Sequence, residues 1–130
     1  MLWVRGGNVF VLRYALHRSG GDAIAAGALA ADTLVYAGYS AGPCVLAPSL
    51  RGLDAVDDPA AVAVTYGDEP IWEGLGLLDY SIVPHYRSPD HPESAACDGV
   101  AAGYRAAGIA HRALRDGEAL VIQGDGTAIW

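Results

Sequence analysis

One stretch constrains this chain more than any other: Leu34-Val35-Tyr36-Ala37-Gly38-Tyr39-Ser40-Ala41-Gly42-Pro43-Cys44-Val45-Leu46. An apolar, β-branched approach leads into Gly-x-Ser-x-Gly, and small and apolar residues follow. The pattern predicts a strand that turns sharply into a helix with a serine at the tip. Glycines two residues before and after that serine let strand and helix pass without a Cβ clash, while the serine itself takes strained backbone. The N–H of Ala41 then points toward the serine's reaction space, beside a helix start that favours developing negative charge. Small-residue turns without any chemistry share the Gly-x-Ser-x-Gly spacing. The strand before it and the helix after it are the context that favours a nucleophile.

Leu2-Trp3-Val4 reads as a strand ending at Gly6-Gly7-Asn8, and Asn8 as the cap of an apolar helix reaching about His17. Gly6-Gly7 is either a tight turn or a backbone cradle for an anion, and local sequence does not choose between them. Ser19 to Asp22 breaks that helix, and an Ala-rich helix runs from Ala23 to Ala31. Thr33 to Ala37 is the strand into the turn, and Ala41 to about Leu50 is the helix after it. Arg51 to Ala60 is a polar loop carrying Asp54, Asp57 and Asp58. Val62 to Tyr66 alternates as a strand does, and Ser81-Ile82-Val83 is a buried strand stopping at Pro84-His85-Tyr86.

His85 thus stands at the C-terminal end of a strand, where open α/β sheets place their ligands. Asp90 to Glu93 reads as a capping box, Asp90 as cap and Glu93 reaching back, for a helix from Ser94 to about Leu114. That box accounts for Asp90 and Glu93 without an ion, so the cluster His85, Asp90, His91, Glu93 is not read as a metal site. Asp116-Gly117 makes a turn, Ala119 to Ile122 a strand, and Gln123 to Gly126 a turn before a last strand. Alternating strands and helices in a single 130-residue domain predict a layered α/β fold with a mostly parallel sheet.

Charge narrows the partners. A net charge of −7 argues against nucleic acid or an anionic membrane, both of which need a basic surface. Cys44 and Cys97 form no disulfide framework, and no leader or membrane-spanning run is read, so a cytoplasmic setting is expected.

With those pieces in place, the chain resembles the peptidase E family, Asp-specific dipeptidases related to cyanophycinase. The resemblance is carried by Gly6-Gly7-Asn8 after a strand, the Gly38-Tyr39-Ser40-Ala41-Gly42 turn, the strand end Val83-Pro84-His85-Tyr86, and Gly124-Asp125-Gly126 before a terminal strand. It implies a flavodoxin-like, glutamine-amidotransferase-like fold and a metal-free, cofactor-free serine peptidase that removes an N-terminal aspartate from dipeptides or short peptides. Carried across, Ser40 is the nucleophile, His85 the general base, and the N–H groups of Gly7 and Ala41 the oxyanion hole. The acid is Asp125 in the turn before the last strand or, alternatively, Asp54 (or its neighbour Asp57) in the loop after the nucleophile. Family members are longer at the N-terminus, so the opening βαβ units are expected to be missing. An exposed sheet edge there predicts a homo-oligomer. Two other functions fit the motif: an α/β-hydrolase esterase, which usually carries a separate Gly-rich oxyanion loop, and an inactive truncated remnant.

Overall fold

The computed structural model describes residues 1–124 and, as backbone, 126–129. Its first unit is a parallel strand pair: β1 (Leu2–Val4) lies beside β2 (Tyr36–Gly38), with Leu2 opposite Tyr36 and Val4 opposite Gly38. The connection carries α1 (Val9–Ser19) and α2 (Gly21–Ala30). Asn8 caps α1 as its sequence position suggests, its side-chain oxygen accepting from the N–H groups of Phe10 and Val11. Gly20, left-handed at φ 72°, ends the helix by donating to His17 O, and His17 and Arg18 sit at the negative end of its dipole. Arg13 is buried on the inner side of α1. Its guanidinium is satisfied by the Glu73 carbonyl and the Asp22 carboxylate, as a buried charge must be.

After β2 comes α3 (Ala41–Cys44), a single turn rather than the expected helix to Leu50. The cause lies in the carbonyls that follow it. Those of Val45, Leu46, Ala47 and Pro48 accept from the backbone of residues 74–78, leaving none for a longer helix. Pro48 could not have donated to one in any case. The segment Ala61–Tyr66, expected as a strand, is a helix, α4. Val62 is buried and Val64 exposed, as residues two apart are on a helix, whereas a strand would put both on one face. Pro59 just before it and left-handed Gly67 just after it are the helix punctuation that the alternation masked.

The second unit is again a parallel pair. β3 (Ser81–Val83), buried throughout, runs beside β4 (His111–Ala113), which the sequence pattern did not reveal. Between them α5 (Ser94–Ala107) stops at left-handed Gly108, well before the expected Leu114, and β4 occupies the difference. The pairing continues past the strands through Leu114 N–H to Val83 O and Tyr86 N–H to Leu114 O. β5 (Leu120–Gln123) and β6 (Gly126–Ile129) close the chain as an antiparallel hairpin.

One apolar cluster joins the two parallel units. Phe10 of α1, Val45 and Leu50 after α3, Val62 of α4, Ile82 and Val83 of β3, and Cys97, Ala101 and Tyr104 of α5 are all buried in it. Burying each of the Phe, Val, Leu and Ile side chains contributes about 1.5–3 kcal/mol. Both cysteines are free thiols in this core, and burial pushes the Cys97 thiol up to about 11, which makes it a poor nucleophile. Among the described residues no helix is long and apolar enough to cross a membrane.

Candidate active site

Among the described residues four non-glycines have positive φ, and three of them follow the C-terminal ends of β2 and β3: Ser40 (54°), His85 (55°) and Arg87 (49°). Backbone of this kind costs on the order of 1–3 kcal/mol per residue and persists only where its surroundings impose it. For Ser40, at φ 54° and ψ −118°, the imposition is visible. Tyr39 N–H donates to Val4 O, Gly42 N–H to Tyr39 O, and the Tyr36 hydroxyl to Gly42 O at 2.6 Å. Gly38 and Gly42 both face the Val4 carbonyl; a Cβ on Gly38 would lie 2.6 Å from that oxygen. The two motif glycines therefore let the turn press against β1, and not merely let strand and helix pass each other.

The Gly6–Gly7 turn abuts the serine. A Cβ on Gly6 would stand 2.8 Å from Ser40 Cβ and 3.2 Å from its Oγ. Gly7 takes φ 139°, a conformation other residues rarely adopt, although space there is open. Behind the turn Asn8 also donates from its side-chain amide to Asp58 O, tying it to the following acidic loop. Ser40 thus lies against the Gly-rich turn.

His85 comes from the second unit. Its Nδ1 lies 2.6 Å from Asp116 Oδ1, a short, charge-assisted contact. Its Nε2 is buried and has no hydrogen-bond partner among the described residues. With Nδ1–H donating to the carboxylate, Nε2 carries the free lone pair, which is the tautomer a general base needs. Asp116 is held in turn by its backbone N–H, which donates to Ser88 Oγ at 2.8 Å. Ser88 is buried and joins the surrounding loop together. Its hydroxyl donates to Tyr86 O, its N–H to Ser94 Oγ, and its carbonyl accepts from His91 N–H.

The two halves of the site are linked behind the serine. Cys44 Sγ lies 3.1 Å from Ser40 O and 3.4 Å from Ile82 O, so one buried thiol bridges the turn and the strand that carries His85.

Set beside known proteins, the chain matches the model of Peptidase family S51 over residues 1–130. It belongs to peptidase family S51. Over 93 residues it is 33% identical to the "Uncharacterized peptidase Lmo0363" of Listeria monocytogenes, covering 71% of this chain and 42% of that protein. Over 89 residues it is 39% identical to the "Peptidase E" of Streptomyces coelicolor, covering 68% of this chain and 33% of that one. A crystal structure of a Listeria monocytogenes EGD-e protein assigned by name to peptidase E superposes with a TM-score of 0.78 at 26% identity. It covers 98% of this chain and 57% of that one. The alignments therefore span well under two thirds of the relatives' own lengths. The α/β fold with parallel strands is that of this structural neighbour.

Within this S51 chain the carboxylate beside His85, among the described residues, is that of Asp116, which the sequence pattern did not single out. Asp54 Oδ1 accepts from Gly52 N–H at 2.9 Å and serves its own turn. Asp57 Oδ2 accepts from Val9 N–H at 2.8 Å, at the start of α1, and burial raises its carboxyl above the ordinary value. Asp125 lies outside the described residues. Asp116 was read only as a turn former, because β4 was not recognised and the turn after it was not seen as a strand's C-terminal end. The signal that would have found it is the short run His111-Arg112-Ala113-Leu114 between Gly108 and Asp116-Gly117.

The capping box does not form either. Glu93 is the residue before α5 and makes no side-chain cap; its N–H donates instead to His91 Nδ1 at 3.2 Å. This removes the reason given for setting a metal aside, and donor atoms of His85, His91 and Glu93 do lie within 4.8 Å of one another. The ring geometry supplies a different reason. The two imidazoles stack with centroids 3.4 Å apart and planes within 2°, so their in-plane lone pairs run parallel and do not converge on one ion. Both Nδ1 atoms are already engaged.

Proposed function

We propose that this chain is a serine peptidase working through an acyl-enzyme, with Ser40 as nucleophile, His85 as general base and Asp116 as the acid of the triad. His85 Nε2 takes the Ser40 proton as Oγ attacks the scissile carbonyl carbon. Asp116 stays ionised and steadies the imidazolium. The N–H groups of Gly7 and Ala41 receive the oxyanion of the tetrahedral intermediate. As it collapses, the C–N bond breaks and His85 returns the proton to the leaving amine. Water, activated by the same imidazole, then releases the acyl group from Ser40.

The observation that carries this reading is the 2.6 Å His85–Asp116 contact, which leaves a buried, unspent Nε2 on a strand end coupled to the strained serine turn. Dipeptides or short peptides with an N-terminal aspartate are the proposed substrates, on the resemblance to peptidase E. The esterase alternative is less favoured, because here the Gly6–Gly7 turn abuts Ser40, the place a separate oxyanion loop would take.

A fluorophosphonate probe tests the nucleophile, and hydrolysis of Asp-p-nitroanilide against p-nitrophenyl acetate tests the substrate class. Labelling should map to Ser40 and vanish in Ser40→Ala and His85→Gln. Turnover of the acetate with none of the anilide would favour the esterase. A wild-type protein that resists the probe would overturn the proposal.

A further inference from the structure

Beyond the triad, the geometry points to His91 as a positioning residue, the flat wall that holds the plane of the His85 ring. This inference rests on His85 being the base. A single hydrogen bond from Nδ1 to Asp116 anchors one edge of the imidazole but leaves the ring free to tilt about that edge. Asp116 is itself half exposed, so it cannot supply the missing restraint by packing. His91 supplies it. Its ring covers one face of His85 at 3.4 Å with the planes 2° from parallel, so a tilt toward that side meets atoms at van der Waals contact.

The stack is not a pairing the two rings would choose unaided. Aromatic side chains prefer offset or edge-on arrangements to a face-to-face sandwich. Here the arrangement is imposed on His91 from its own backbone. Its N–H donates to Ser88 O at 2.8 Å, and its carbonyl accepts from Ser94 N–H at 3.1 Å. Its Nδ1 accepts from Glu93 N–H at 3.2 Å, which puts the ring proton on Nε2. The same Ser88 that orders His91 receives the Asp116 N–H, so edge and face restraints on the base share one support.

Three variants separate a wall from a simple loop cap. His91→Ala removes both face and acceptor, His91→Phe keeps a flat face without the acceptor, and His91→Asn keeps an acceptor for Glu93 N–H without the face. Misplacing a reacting group by about 1 Å can cost on the order of 100-fold. Acylation of Ser40 by the fluorophosphonate should therefore slow by about 10- to 100-fold in the Ala and Asn variants. It should return to within about threefold of wild type in the Phe variant, with little change in probe affinity. A second readout does not depend on turnover: the low-field Nδ1–H proton resonance of His85, assigned by its loss in His85→Gln. Its exchange with solvent should quicken by about tenfold or more in Ala and Asn and stay slow in Phe. If Ser40 proves unreactive in wild type, the proposed function fails, and this exchange series alone still decides the role of His91. Rescue by Asn but not Phe, or unchanged exchange and acylation in Ala, would overturn the inference.

Discussion

Replacing Asp116 by asparagine removes one charge and leaves the side chain's shape. Two losses follow from the structure. The carboxylate stands 2.6 Å from His85 Nδ1, so it attracts the imidazolium that forms during attack. Two unit charges about 4 Å apart interact by about 1 kcal/mol in water and about 4 kcal/mol near a protein surface. With its side chain 50% exposed, Asp116 belongs between these limits, at about 2–3 kcal/mol. The second loss is the tautomer. A carboxylate can only accept, whereas an amide can turn its NH2 toward Nδ1 and force the proton onto Nε2, the wrong atom for a base. Together these predict acylation slowed by about 100- to 1000-fold, about 3–4 kcal/mol at 1.36 kcal/mol per decade. That is less than the roughly 10⁴-fold seen when a fully buried triad acid is changed. Stopped-flow acylation by a fluorogenic fluorophosphonate measures it, with Asp125→Asn and Asp54→Asn as comparisons. An Asp116→Asn protein within about threefold of wild type, with either comparison collapsing, would refute the assignment.

Three further outcomes follow. Gly7→Ala forces a Cβ into φ 139° and swings a proposed oxyanion N–H, so kcat should fall by about 10²–10³-fold; a variant at more than half the wild-type rate would remove Gly7 from that role. Ser88→Ala strips the partner of Asp116 N–H and should cost about 1–2 kcal/mol in urea unfolding together with a drop in kcat, KM being nearly constant. Burial holds the Asp57 carboxyl above its ordinary value, so the folded state binds that proton more tightly than the unfolded one. Its contribution to stability is then greatest at low pH and is lost as pH rises through the raised value. Asp57→Asn, which keeps an acceptor for Val9 N–H, should remove that decline in unfolding curves taken from about pH 4 to 7.

What could be read from the sequence was whatever punctuation controls locally. Asn8 as cap, Gly20 as stop, and the Gly-x-Ser-x-Gly turn each act on their own neighbours, and each does in the fold what its chemistry implies. What could not be read was decided by distant partners. The carbonyls of 45–48 are claimed by residues 74–78, which cuts the helix after the serine to one turn. His111–Ala113 is a strand because β3 lies beside it, and its half-exposed residues carry no apolar signature of their own. Missing that strand meant missing Asp116. His91 was visible only as part of an expected cap, since a stack depends on where two loop residues meet in space.

The positive-φ residues then explain how a site is assembled from strands only three residues long. Asp32 is in the turn after α2, where a short polar side chain tolerates left-handed backbone at little cost. Ser40, His85 and Arg87 stand two to four residues beyond the C-terminal ends of β2 and β3. Each strand end is anchored by a contact to another part of the chain: Gly38 and Gly42 to the Val4 carbonyl, Tyr86 N–H to Leu114 O, and Ser40 O and Ile82 O to the single thiol of Cys44. Strain of on the order of 1–3 kcal/mol at each residue is sustainable because these anchors form in or beside the buried cluster that the two parallel units share. The strained backbone that costs the fold stability is therefore the same backbone that carries the proposed nucleophile and the proposed base.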